Sequence, residues 1–104
     1  MTVAEIIRRC KEALGAHYGS RFRGLIAYGS VARNQATPAS DIDLLVLLSR
    51  PFDYLRELCQ IVDLLYPIQL ESDRPISAKP APVDEFEQGT IQLYRNAKRE
   101  RVLG

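Results

Sequence analysis

Tyr28-Gly29-Ser30-Val31-Ala32-Arg33 and, a few residues on, Ser40-Asp41-Ile42-Asp43-Leu44-Leu45-Val46-Leu47-Leu48 set a tight polar turn against two carboxylates that open an apolar run. Side chains two apart in an extended chain face the same way, so Asp41 and Asp43 converge on one point and share a face with Leu45 and Leu47. Ile42, Leu44, Val46 and Leu48 occupy the other face. A run this apolar is covered on both sides, which predicts a central strand from Ile42 to Leu48. The acids then belong where that strand emerges into water, because a carboxylate set deeper carries a desolvation cost unless it is paired or metal-bound.

Outward from this strand, Leu25-Ile26-Ala27-Tyr28 reads as a short strand ending at Gly29. Residues 34–40 are turn-rich, and Pro38 stops any helix from crossing them. Val3, Ile6, Ile7, Cys10 and Leu14 recur at helical spacing and predict a first amphipathic helix closed near Gly15 or Gly19. Phe52, Leu55, Leu58, Cys59, Val62, Leu65 and Tyr66 predict another helix, entered after Ser49 and Pro51 with Asp53 near its start, which Pro67 would bend or end. Val62, Leu64, Tyr66, Ile68 and Leu70 also fit a two-residue alternation; the helical pattern is the longer. Pro75–Pro80 suits an edge strand, since its prolines discourage a central place. A polar link around Asp84 and Glu85 leads to a last helix from about Thr90 to Arg101, with Ile91, Tyr94 and Ala97 on one side. The expected class is α/β (α+β), a small mixed sheet of three or four strands with helices packed against it, in one domain over residues 1–104.

The chain has 104 residues, 46% of them hydrophobic, with 14 Lys and Arg against 13 Asp and Glu. A net charge of +1 excludes nucleic-acid binding driven by bulk positive charge and leaves room for a local basic patch. Cys10 and Cys59 fall at apolar helical positions, as buried thiols of a reducing compartment do. No apolar run approaches the roughly 20 residues that span a bilayer, and no secretory leader is evident. A cytoplasmic protein without membrane contact is the expectation.

The turn sharpens the meaning of the acids. Gly29 permits a backbone conformation closed to other residues and lets a ligand approach. Ser30 can cap a following helical turn, and its hydroxyl and amide, with the Val31 amide, suit a phosphate oxygen. Asp41 and Asp43 supply the hard oxygens that Mg²⁺ prefers. A pair of such ions about 3.5–4 Å apart would stabilise both sides of an in-line displacement. Arg33 is a multidentate candidate for phosphate.

Gly29-Ser30-Val31-Ala32-Arg33 with Ser40-Asp41-Ile42-Asp43-Leu44 resembles the signature of minimal nucleotidyltransferase domains of the DNA polymerase beta superfamily. The resemblance implies the nucleotidyltransferase fold, with Gly29 and Ser30 as the nucleotide-phosphate turn and Asp41 and Asp43 as Mg²⁺ ligands. It also implies transfer of a nucleoside monophosphate from a nucleoside triphosphate, ATP foremost, to a hydroxyl, with release of pyrophosphate. Small stand-alone members work beside an all-helical partner of the higher-eukaryote-and-prokaryote nucleotide-binding (HEPN) type, in some cases as the antitoxin of a toxin pair. A homo-oligomer is the other assembly expected.

Active members carry a third acid on a neighbouring strand, where Ile76-Ser77-Ala78-Lys79 offers none. If residues 61–66 are extended, Asp63 is the candidate; Glu71, Asp73 and Asp84 are looser ones. Without a third acid the alternative is a nucleotide-binding interaction protein of weak or no activity. The remaining polar residues read as structure: His17 as helix-end packing, the cysteines as core, Arg21, Arg23, Lys98, Arg99 and Arg101 as a solvated basic surface, and Tyr54, Tyr66 and Tyr94 as packing residues.

Overall fold

The computed structural model describes residues 2–29 and 40–100 together with the backbone of 102–103. The apolar run forms a strand, β2 (Ile42–Leu48), whose bounds are those the sequence predicts. It lies between β1 (Phe22–Tyr28), antiparallel to it, and β3 (Ile76–Pro82), parallel to it; a two-residue strand, β4 (Val102–Leu103), completes the order β3-β2-β1-β4. β3 takes the edge that its prolines predict.

Alternation along β2 divides the core into two layers. Ile42, Leu44, Val46 and Leu48, with Leu25 and Ala27 of β1, pack against α1 (Val3–Tyr18) through Ile6, Cys10 and Leu14, and against α2 (Tyr54–Glu71) through Ile61, Leu65 and Ile68. Leu45 and Leu47, with Ile26 and Tyr28, pack against Phe86 of α3 (Val83–Gln88) and Tyr94 and Ala97 of α4 (Gln92–Glu100). Each fully buried Leu or Ile contributes about 1.5–3 kcal/mol, so this double-sided burial anchors β2 while its acidic end reaches solvent.

The helix ends follow local chemistry. Thr2 caps α1 by accepting from the Glu5 amide at 3.1 Å, and Gly19 closes it with a positive φ of 58°. Asp53 caps α2 by accepting from the Arg56 amide at 3.2 Å. Pro67 does not end α2, which continues to Glu71. Pro67 is exposed, so water can satisfy the carbonyl that its missing N–H leaves open. The segment around Asp84 and Glu85 is not a link but the short helix α3. Arg50, beyond β2, reaches it with bonds to Asp84 Oδ2 at 3.1 Å and Glu85 Oε2 at 2.7 Å. Among the described residues no helix is long and apolar enough to cross a membrane.

Candidate functional site

β1 ends, and β2 and β3 begin, at the same end of the sheet, because Tyr28 pairs with Asp43 and Asp43 with Ser77. The Ile42 amide donates to Pro75 O at 2.9 Å and ties the start of β2 to the approach of β3. Asp41 is exposed just before β2; Asp43 is half-buried inside it. Gly29, directly after β1, has φ +77°, and a Cβ there would lie 2.5 Å from Asp43 Oδ2 and 3.4 Å from its Cγ. Gly29 and the second acid therefore meet in space. A side chain there would be strained by the positive φ and would have to push the carboxylate of Asp43 aside.

Tyr28 and Ser77 flank Asp43 on either side. Burial, and then the charge of Asp43, push the Tyr28 phenol up to about 12, so it stays protonated beside the acid. Neither neighbour is legible from local spacing, because each depends on the register between strands. A complete β1–β2 pairing would have found Tyr28.

Asp63 does not join the acids. Residues 61–66 are helical, not extended, and Asp63 is exposed on α2, in the layer that covers the Ile42–Leu48 face, whereas Asp43 shares the opposite face with Leu45 and Leu47. On β3 the residues of the Asp43 face are Ser77 and Lys79, in register with Asp43 and Leu45. Glu71 is held by Arg9 at 2.9 Å, and Asp84 lies beyond the other end of β3. Asp73, exposed in the turn before β3, is at the site's end of the sheet. Ser30 and Arg33, the other phosphate candidates, lie outside the described residues.

The far end of β1 carries a different cluster. Glu57 of α2, buried, accepts from Tyr18 Oη at 3.2 Å and from Arg21 Nη2 at 3.0 Å, and Arg21 also donates to Pro51 O at 2.6 Å. This cluster joins α1, α2 and the start of β1 and sits away from the acids. His17 meets Gln60 at 3.1 Å, in keeping with helix-end packing. Lys98 donates to Glu87 O at 2.8 Å and ties α4 to α3, whereas Arg99 donates to Asn96 Oδ1 at 2.9 Å within α4.

A strand ending in a glycine turn against an acid pair on the next strand, with helices on both faces, is the frame of a nucleotide-transfer enzyme, and the chain belongs to the nucleotidyltransferase domain family, whose profile matches residues 7–101. It is 33% identical over 72 residues to the "Putative protein adenylyltransferase MJ0604" of Methanocaldococcus jannaschii, covering 69% of this chain and 72% of that protein. The family takes a nucleoside triphosphate and a divalent cation.

The donor set suits such a cation. Asp41 and Asp43 supply carboxylates from one strand end, and no group of three or more His, Cys, Asp or Glu gathers around a common point among the described residues. Two carboxylates leave room for phosphate and water oxygens around a hard divalent cation.

Proposed function

We propose that this chain transfers a nucleoside monophosphate, AMP foremost, from a nucleoside triphosphate to a hydroxyl group, with a protein side chain as the acceptor. The acceptor oxygen forms a bond to the α-phosphorus, the bond from that phosphorus to the bridging oxygen of the β-phosphate breaks, and the hydroxyl proton and pyrophosphate leave. Asp41 and Asp43 hold Mg²⁺, which when bound neutralises phosphate charge. Gly29 and Ser30 receive the phosphates, and Arg33 adds a donor to them. Tyr28, neutral at physiological pH, flanks Asp43 across the strand register and keeps a second negative charge away from it. The observation that carries the reading is the approach of Gly29 to Asp43 Oδ2, which makes one site of two separate sequence features. A protein acceptor is supported by the printed name of the archaeal relative.

The second reading is a nucleotide-binding interaction protein, antitoxin-like, acting with a helical HEPN-type partner. It is favoured by Ser77 and Lys79 standing on the site face of β3, with no carboxylate between them. One experiment separates the two. Protein purified from its native host is incubated with Mg²⁺ and α-labelled ATP, with and without any co-purifying partner, and followed by intact mass. Label on protein, lost in an Asp41→Asn/Asp43→Asn variant, supports transfer. Mg²⁺-dependent ATP binding with no label in either condition supports the second reading, and binding unchanged in the double variant defeats both.

A further inference from the structure

We propose that the outer face of α2 is a self-association surface, on which a second copy of this chain packs its own α2 antiparallel. The proposal does not depend on the transfer reading.

The face is apolar where a solvated helix face would be polar: Leu55 is 71% exposed, Val62 56%, Tyr66 58% and Leu70 68%, with Cys59 also exposed. Leu55, Cys59, Val62 and Tyr66 follow one another at intervals of four, three and four residues, the seam spacing of paired helices. The inner face of α2 is already committed, through Ile61, Leu65 and Ile68, to the sheet and α1. Beside the seam, β3 leaves an open edge, but Lys79, Pro80 and Pro82 there oppose the addition of a strand. The occupant that fits is a helix.

Charge selects this chain's own helix. Arg56 and Asp63, seven residues apart, directly follow Leu55 and Val62 along one flank of the seam. Among the described residues neither side chain is ion-paired. In an antiparallel pair that sets Leu55 against the partner's Tyr66, and Cys59 against the partner's Val62, the flank meets itself reversed. Arg56 then faces the partner's Asp63, and Asp63 faces the partner's Arg56. Two-fold symmetry makes both pairs equivalent, as an isologous interface requires. A parallel pair would carry the two copies of this flank to opposite sides of the seam, so that Arg56 and Asp63 would not meet each other. Because α2 covers the face of the sheet opposite Asp43, such a dimer leaves Asp41 and Asp43 open.

A seam of one helix is small, so the expected dissociation constant lies in the range of about 10–100 µM. Sedimentation equilibrium of the full chain, under reducing conditions and up to about ten times that concentration, is the test. Val62→Asp is expected to remain monomeric with an unchanged circular dichroism spectrum and melting temperature. Arg56→Asp and Asp63→Arg, each of which sets like charges opposite one another twice, should weaken the dimer about tenfold or more, and the combined swap should restore it. A wild-type chain that stays monomeric throughout overturns the proposal and leaves the seam to a different helix. So does a dimer that Val62→Asp leaves intact, or a charge swap that fails to restore it.

Discussion

Gly29 and Asp43 are in such close approach that a single added carbon at residue 29 would sit 2.5 Å from Asp43 Oδ2. The glycine thus does two jobs, taking a positive φ of 77° and making room for the acid. Gly29→Ala is expected to cost about 1–2 kcal/mol from the backbone alone and further from the displaced carboxylate. In an Asp43→Ala background only the backbone share should remain. A double-mutant cycle by denaturant unfolding would therefore show coupling of about 0.5 kcal/mol or more; additive effects would mean that the carboxylate swings aside at no cost.

The Mg²⁺ expectation yields a binding result apart from turnover. Removing one negative carboxylate from the ligand pair by Asp43→Asn should weaken Mg²⁺-dependent ATP binding by about tenfold or more, by analogy with the 1.4 kcal/mol that each tenfold represents. Asp63→Asn should leave it unchanged, because Asp63 sits in the layer on the other side of the sheet. Calorimetric titration with ATP in the presence and absence of Mg²⁺ measures both. Equal losses in the two variants would contradict the site as drawn.

What the sequence made legible follows from which forces are local. β2 was readable to the residue because Asp41 and Ser49 bound a run in which only Asp43 is not apolar. α2 was readable through its longer period, which also decided against Asp63, since that residue needed the extended alternative. α3 was not, because only Val83 and Phe86 among its six residues are apolar, too few to set a period. The Asp pair and Gly29 were legible as motifs. Their contact, and the places of Tyr28 and Ser77 beside Asp43, arise from strand register and are invisible to spacing along the chain.

Glu57 supplies a test of stability separate from the site. It is 4% exposed and bonded to both Tyr18 and Arg21. Glu57→Ala leaves a partly buried guanidinium without its acid and is expected to cost about 1.5–3 kcal/mol, while Tyr18→Phe, which removes a single hydrogen bond, should cost about 0.5–1.5 kcal/mol. ATP binding by the folded fraction should not change in either variant, since this cluster lies at the end of β1 away from Asp43. A loss of binding in proportion to neither variant's stability would show that the two ends of the strand are coupled.

The two cysteines should respond differently to a thiol reagent. Burial pushes the Cys10 thiol up to about 11, and its side chain is enclosed between α1 and the sheet, whereas Cys59 is exposed. At pH 8 the folded protein is expected to release one equivalent of chromophore quickly, from Cys59, and the second only on unfolding. Cys59→Ser should abolish the fast phase. Self-association through α2 would slow that phase as protein concentration rises, because Cys59 lies on the seam.

Alkaline titration tests the surroundings of Tyr28 directly. Burial is the largest cause raising both Tyr18 and Tyr28 to about 12; Glu57 adds to the first and Asp43 to the second. Unfolded tyrosines ionise near pH 10, so the folded state binds these two protons more tightly than the unfolded state does. The resulting stabilisation is fully present below pH 10 and is lost as pH rises from there through about 12. Ultraviolet absorbance of tyrosinate should show Tyr18 and Tyr28 ionising late in the folded protein, with burial raising Tyr94 as well, and Tyr28→Phe removing one late step. Replacing Asp43 by Asn should draw the Tyr28 midpoint downward without moving Tyr18, because only Tyr28 has that carboxylate beside it. If the Tyr28 midpoint stays put in the Asn variant, the two side chains are not electrostatically coupled.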